Sequence, residues 1–190
     1  MRASTITAGF GLAVLALASG MTLAQGTKGE GAAPQTPPQR TAPPPQARPQ
    51  PQARTQPDWA APPTYTTLDL QAGFEPDPRT IQVQAGGNFD AAALGGACIG
   101  MVNGRAPDVD INYRAGSFPL NIYARSNADT VLVINDPQGR WHCNDDTHGL
   151  NPAISFPRPQ SGNYNIWVGI IGSGPAPATL SITELDMPTR

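Results

Sequence analysis

The stretch His142-Cys143-Asn144-Asp145-Asp146-Thr147-His148 groups metal-competent and proton-carrying side chains more densely than any other part of the 190-residue chain. Asn144, Asp145 and Asp146 are three consecutive oxygen donors. Adjacent carboxylates repel each other, which favours either a turn open to solvent or a bound cation. The cation suited to such a set is calcium, which takes roughly six to eight oxygens from carboxylates, amides and backbone carbonyls. Asn151, Asp108, Asp110, Asp129 and Asp136 would add donors if the fold brings them near. Two readings therefore stand: structural calcium on Asn144, Asp145 and Asp146, or a solvated, hydrogen-bonded turn. No other cofactor is implied. His142 and His148 bracket the carboxylates, but zinc needs three or four ligands in tight geometry, and Cys143 is expected to be oxidised.

Other residues invite chemistry less strongly. Ser173, in Gly172-Ser173-Gly174-Pro175, is superficially similar to the serine segment of trypsin-like proteases. A serine hydrolase also needs an imidazole base and an orienting acid, and no plausible histidine segment lies upstream. No Gly-x-Ser-x-Gly elbow occurs, so a hairpin turn is the preferred reading and no catalytic residue is assigned. Trp167 occupies the opposite phase to Tyr164, Ile166, Val168 and Ile170 on one alternating stretch. It either packs beneath a neighbouring element or faces outward as a binding platform. Trp141 precedes His142 and Cys143 and is placed to pack against a disulfide. Both tryptophans are candidate binding residues, with core packing the preferred role. Cys98 and Cys143 are the only cysteines. An even count in an exported chain favours an intramolecular bridge, and closing a loop of about 45 residues is worth roughly 4 kcal/mol on a chain-entropy basis.

The elements that must position these residues read as strands. Apolar positions alternate at Ile81 and Val83, at Val109, Ile111 and Tyr113, at Leu120 and Ile122, at Tyr164 to Ile170, and at Leu180 and Ile182. This is a period of two. Thr130 to Ile134 is a continuous apolar run, as for a strand buried on both faces. Gly-, Pro-, Asn- and Asp-rich turns separate these stretches. No long stretch carries a helical period. About eight or nine short strands of this kind predict an all-β, antiparallel β-sandwich.

The ends of the chain bear on location. Arg2, the apolar run from Gly9 to Ser19, and the small residues of Thr22-Leu23-Ala24 match a secretory signal peptide over 1–24. Cleavage is placed between Ala24 and Gln25. The run is shorter than the about 20 residues needed to span a bilayer, so no membrane insertion is expected after signal removal. Residues 25–63 hold eleven of the 22 prolines and few apolar side chains larger than Ala. Such a segment cannot repay the entropy of ordering and is expected to be a disordered Pro/Gln-rich tether. Trp59 lies in it, and docking the tether's end is the simplest role for that side chain. Folded structure is expected over 64–190, where twelve acidic residues face seven arginines. That balance argues against nucleic acid, since phosphate binding needs clustered Lys and Arg.

From Asp129 onward the order of features becomes specific. An Asp-led apolar strand leads to the Asp136-to-Gly139 turn, Asn144-Asp145-Asp146, the strand Ile154 to Phe156, and Gly162-Asn163-Tyr164 running on to Gly169. This resembles the bacterial pre-peptidase C-terminal domain family over about 55 residues. The resemblance implies a jelly-roll-like sandwich and a non-catalytic accessory role beside secreted proteases. In some relatives the Asp-Asp segment holds calcium with help from an acidic lead-in. Here that lead-in offers only Glu75 and Asp77, and nothing ahead of the domain is large enough to be a protease. The expected function is a secreted or periplasmic accessory or binding module recognising a protein or polymer outside the cytoplasm. A component of a secreted serine-type protease system and a structural envelope protein are the alternatives.

Overall fold

The computed structural model describes residues 54–187. The expected signal peptide, its expected cleavage site at Ala24 and Gln25, and most of the expected tether lie outside the described residues. Eleven strands follow in order: β1 (Thr66–Gln71), β2 (Arg79–Ala85), β3 (Phe89–Asp90), β4 (Met101–Val102), β5 (Val109–Arg114), β6 (Leu120–Ser126), β7 (Thr130–Asn135), β8 (Trp141–Asn144), β9 (Ala153–Phe156), β10 (Gly162–Ile170) and β11 (Ala176–Thr183). One 3-10 turn, Ala91–Leu94, is capped by Asp90, whose side chain accepts from Ala92 N. No helix among the described residues is long and apolar enough to cross a membrane.

The strands form two sheets. The larger has seven strands, with β1, β5 and β10 side by side, β7 and β8 beyond β10, and β4 and β3 joined at the far end of β10. The smaller runs β2-β11-β6-β9. Two features differ from the sequence expectation. The short strands β3 and β4 raise the count, because a two-residue ladder leaves no period to detect. The sandwich is also not wholly antiparallel, since β1 pairs with β5 in parallel from Thr66↔Val109 to Gln71↔Arg114. Alternation along Leu68 and Leu70 sets which face of β1 is buried. It carries no information about the direction of its neighbour.

The main core fills the space between the sheets. Ile111, Leu132, Ile134, Tyr164, Ile166 and Val168 from the larger sheet meet Val83, Leu120, Ile122, Leu180 and Ile182 from the smaller. Each such side chain, taken fully from water, contributes about 1.5–3 kcal/mol. A second core lies on the outer side of the larger sheet. There Val131, Val133 and Trp167 point away from the first core and are covered by Phe89, Ala91, Cys98 and Val102. This explains the unbroken run from Thr130 to Ile134. β7 alternates as any strand does, but both of its faces are buried.

The cover over the second core is the segment from Gly86 to Gly104. The segment folds tightly on itself at Gly87, where a Cβ would sit 2.2 Å from the backbone of Val102. Its outer end is fixed by a disulfide between Cys98 and Cys143, so an otherwise short-stranded flap is tied to β8.

Candidate functional site

The outer face of the larger sheet is divided. One half is sealed by the Gly86–Gly104 flap; the other is polar, with Thr67, Asp69, Asn112 and Asn163 exposed and Asn135 and Asn165 buried beneath the recess. On the open half the register aligns Thr67, Asp110, Asn165, Asn135 and Trp141 across β1, β5, β10, β7 and β8. A second row, Asp69, Asn112 and Asn163, runs beside it. The side chains brace one another. Asn165 Nδ2 donates to Asp110 Oδ1 at 2.9 Å and to Asn163 Oδ1 at 2.7 Å. Asn163 Nδ2 donates to Asn112 Oδ1 at 3.0 Å, and Asn112 Nδ2 to Asp69 Oδ1 at 2.8 Å. Burial pushes the Asp110 carboxyl up, and the Asn165 amide partly offsets this.

At the Trp141 end a recess of about 420 Å³ opens between this face, the loops around Pro137 and Ser161, and the stretch carrying Gln56 and Trp59. Asp58 N and Arg54 Nη1 both donate to Gly104 O at 3.1 Å, so that stretch is bonded to the end of the flap. Trp59 stays 49% exposed. Trp141 is half-buried, its ring 5.4 Å from that of Trp167.

Asp136 forms the corner of the recess. Its Oδ2 accepts from Arg140 Nε and lies 2.8 Å from His142 Nε2, while Oδ1 accepts from the amides of Gln138 and Arg140. A carboxylate only accepts, so His142 Nε2 carries the proton of that contact. Burial pushes the Asp136 carboxyl up. The hydrogen bonds from His142, Arg140 and the two amides outweigh it and hold the pKa at about 2.

A larger open groove, about 760 Å³, lies over the smaller sheet. Gln82, Thr179 and Arg125 align across β2, β11 and β6 at its floor. The Arg125 guanidinium sits 5.8 Å above the Tyr123 ring, and the loop carrying His148 and Asn151 forms one wall.

The residues singled out in sequence are dispersed. Asn144 Oδ1 accepts from Thr147 Oγ1 at 2.7 Å and Ala153 N at 2.9 Å, which occupies both of its lone pairs in holding the turn. Asp145 is half-buried and Asp146 exposed. Of the other carboxylates proposed to join them, Asp108 is engaged with Val168 N, Asp110 with Asn165, and Asp136 with Arg140 and His142, while Asp129 Oδ1 is buried without a hydrogen-bond partner among the described residues. Asp77 of the lead-in accepts from Glu184 N. Among the described residues no three His, Cys, Asp or Glu side chains converge on a point that could hold a metal ion. The donor set does not fit calcium, and His142 and His148 do not fit zinc. Ser173 is exposed in the turn between β10 and β11.

Trp167 requires a correction. It is fully buried in the second core, and its Nε1 donates to Ala106 O at 2.8 Å, so it presents no face to a ligand. Its opposite phase on β10 reflects the second core. Sequence reading missed the row of amides on β5, β7 and β10. Asn163 and Asn165 were visible as the polar phase of β10, but only the register sets them beside Asp110, Asn112 and Asn135.

No family model matches the chain, and no curated protein matches it in sequence. Among solved structures, the fold is similar to the pre-peptidase C-terminal domain of a collagenase from Bacillus anthracis. The TM-score is 0.40 at 13% identity, covering 65% of this chain and 98% of that one. It is also similar to PliG, a periplasmic inhibitor of g-type lysozyme from Aeromonas hydrophila, with TM-score 0.33 at 12% identity over 62% and 96% of the two chains. Neither likeness is close enough to carry a function to this chain.

Proposed function

We propose that this chain is an exported, non-catalytic binding module of pre-peptidase C-terminal type, with a jelly-roll-like sandwich. It holds a protein or polymer outside the cytoplasm at the end of a proline-rich tether. The observation that carries this reading is the open half of the larger sheet, where a rigid face presents ordered amides edged by Trp59 and Trp141. Rigid elements position a binding surface better than loops do. The disulfide belongs in an oxidising compartment outside the cytoplasm, in keeping with a secretory signal over 1–24. The exposed turn that carries Ser173 favours the hairpin-turn reading over a hydrolytic one.

The test is retention on immobilised mature chain of material from cell-envelope and extracellular-matrix fractions, run beside a peptidase assay. A specific polymer or protein should be retained, and no peptide cleaved. Robust turnover abolished by Ser173→Ala would overturn the reading in favour of a protease component. Failure to retain anything would favour a purely structural envelope role.

A further inference from the structure

Strand centres select β-branched and aromatic side chains and disfavour Asn and Asp. The open half of the larger sheet reverses that preference at six strand positions: Asp69, Asp110, Asn112, Asn135, Asn163 and Asn165. Local rules broken together at one place mark a site selected for something besides folding. The competing account is that the hydrogen-bonded row is itself a stabilising device. Trp141 also packs on the second core, but that account leaves unexplained Trp59, which stands at the end of the row 49% exposed.

The chemistry of the recess narrows its occupant. Its floor is Asn135, Asn163 and Asn165, and its walls include Gln56, Trp59 and Trp141. Among the described residues no Lys, Arg or His side chain lines it. Its one carboxylate, Asp136, is buried and committed to Arg140 and His142. A polyanion would need cationic donors that are missing here. A peptide that adds a strand would need a sheet edge, whereas this is a sheet face. Uncharged hydroxyls match the surface well. Asn112 and Asn163 are exposed, and each spends only one N–H and one oxygen lone pair on the row. A donor and an acceptor therefore remain on each. An indole offers a flat apolar surface for the C–H face of a sugar ring. The exposed row of Asp69, Asn112 and Asn163 crosses two interstrand spacings, about 10 Å, longer than a single ring.

We infer that this face binds an uncharged polysaccharide, with one ring against Trp59 and Trp141 and the following rings along the row of asparagines. The inference rests on the binding-module reading and names its ligand class.

The mature chain would be titrated with soluble uncharged glycans (hydroxyethyl cellulose, mannan, dextran and N-acetylglucosamine oligomers), with alginate as the polyanionic control. Heat and tryptophan emission would be followed at low and high salt. At least one uncharged glycan should saturate with a change in emission, and its affinity should vary little with salt. Trp59→Ala should weaken binding tenfold or more, and Asn163→Ala severalfold. Trp59→Ala should leave the melting temperature unchanged because its side chain is exposed, whereas Asn163→Ala should lower it modestly by removing the bonds to Asn112 and Asn165; Trp59→Phe should recover part of the loss. Absence of binding to all four glycans, salt-sensitive preference for alginate, or binding unaffected by Trp59→Ala would each overturn the inference. If envelope material is retained while all four glycans fail, only the ligand class falls. If retention fails as well, both readings fall.

Discussion

Asp108 closes a gap in the larger sheet with its side chain. On that edge β10 pairs with β5 as far as Ile166 and with β4 again at Ile170. Between them Val168 O accepts from Gly86 N, and Val168 N donates to Asp108 Oδ2 at 2.7 Å. Burial pushes the Asp108 carboxyl up to about 7, and the Val168 amide only partly opposes it. The unfolded carboxyl titrates near 3.9. Between about pH 4 and 7 the folded chain therefore holds a proton that the unfolded chain has lost. Stability from this group is fully present below that window and falls as pH rises through it, by an amount on the order of a few kcal/mol. Asp108→Asn keeps an acceptor for Val168 N and removes the charge. It should flatten the dependence of melting temperature on pH across that window. Asp108→Ala should flatten it as well, and below the window should lower stability by about 1–3 kcal/mol for an unpaired amide. An unchanged pH slope in Asp108→Asn would count against this account. Asp136 behaves oppositely. Held at about 2, it contributes stability above the usual carboxylate range that is lost as pH falls from about 4 towards 2. Asp136→Asn should remove that acid limb while lowering stability at neutral pH, as read from urea unfolding at pH 2.5, 4 and 7. The two carboxylates together place the stability maximum near the lower end of the Asp108 window.

The flap from Gly86 to Gly104 is the element that sequence reading resolved least. Alternation revealed β2, β5, β6, β10 and β11, because each has one or two buried faces of sufficient length. β3 and β4 have two residues apiece, and what holds them is tertiary: Phe89, Ala91 and Val102 on Val131, Val133 and Trp167, and the bridge to Cys143. The cysteine pair was legible as a pair, but its role as the staple of a second core was not. Replacing both cysteines by serine removes a constraint on a 45-residue separation, with an expected loss of about 4 kcal/mol. The consequence should be uneven. The core between the sheets contains neither cysteine and should persist, while the flap should exchange amide hydrogens faster. Trp167 emission should shift to the red as its cover loosens. Equal protection of the flap amides in the double variant would show that apolar contacts alone hold it.

At the scale of the whole molecule, the stretch before β1 borders the proposed binding face. Composition placed residues 54–63 with the prolines that precede them. In the described structure Pro57 is buried, Asp58 N donates to Gly104 O, and Thr64 N donates to Pro107 O. Proline content decides whether a segment can form its own core; it says nothing about docking on a neighbouring one. The candidate face was hidden for a related reason. Asn163 and Asp110 are far apart in sequence, and only pairing brings their strands together. Two truncations separate these contributions. A chain beginning at residue 54 retains every contact just named and should melt as the mature chain does. A chain beginning at residue 64 loses the bonds to Gly104 and the buried Pro57. It should lose about 1–2 kcal/mol, which for a domain of this size lowers the melting temperature by about 4–8 °C. Glycan binding should vanish in this shorter chain, because Trp59 and Gln56 form one wall of the recess. Trp59→Ala in the longer chain should abolish binding without the thermal loss, so stability and recognition come apart within one ten-residue stretch. If the chain beginning at residue 64 matched the longer one in melting temperature, the stretch would be a passive leader, and the wall it supplies would have no fixed position.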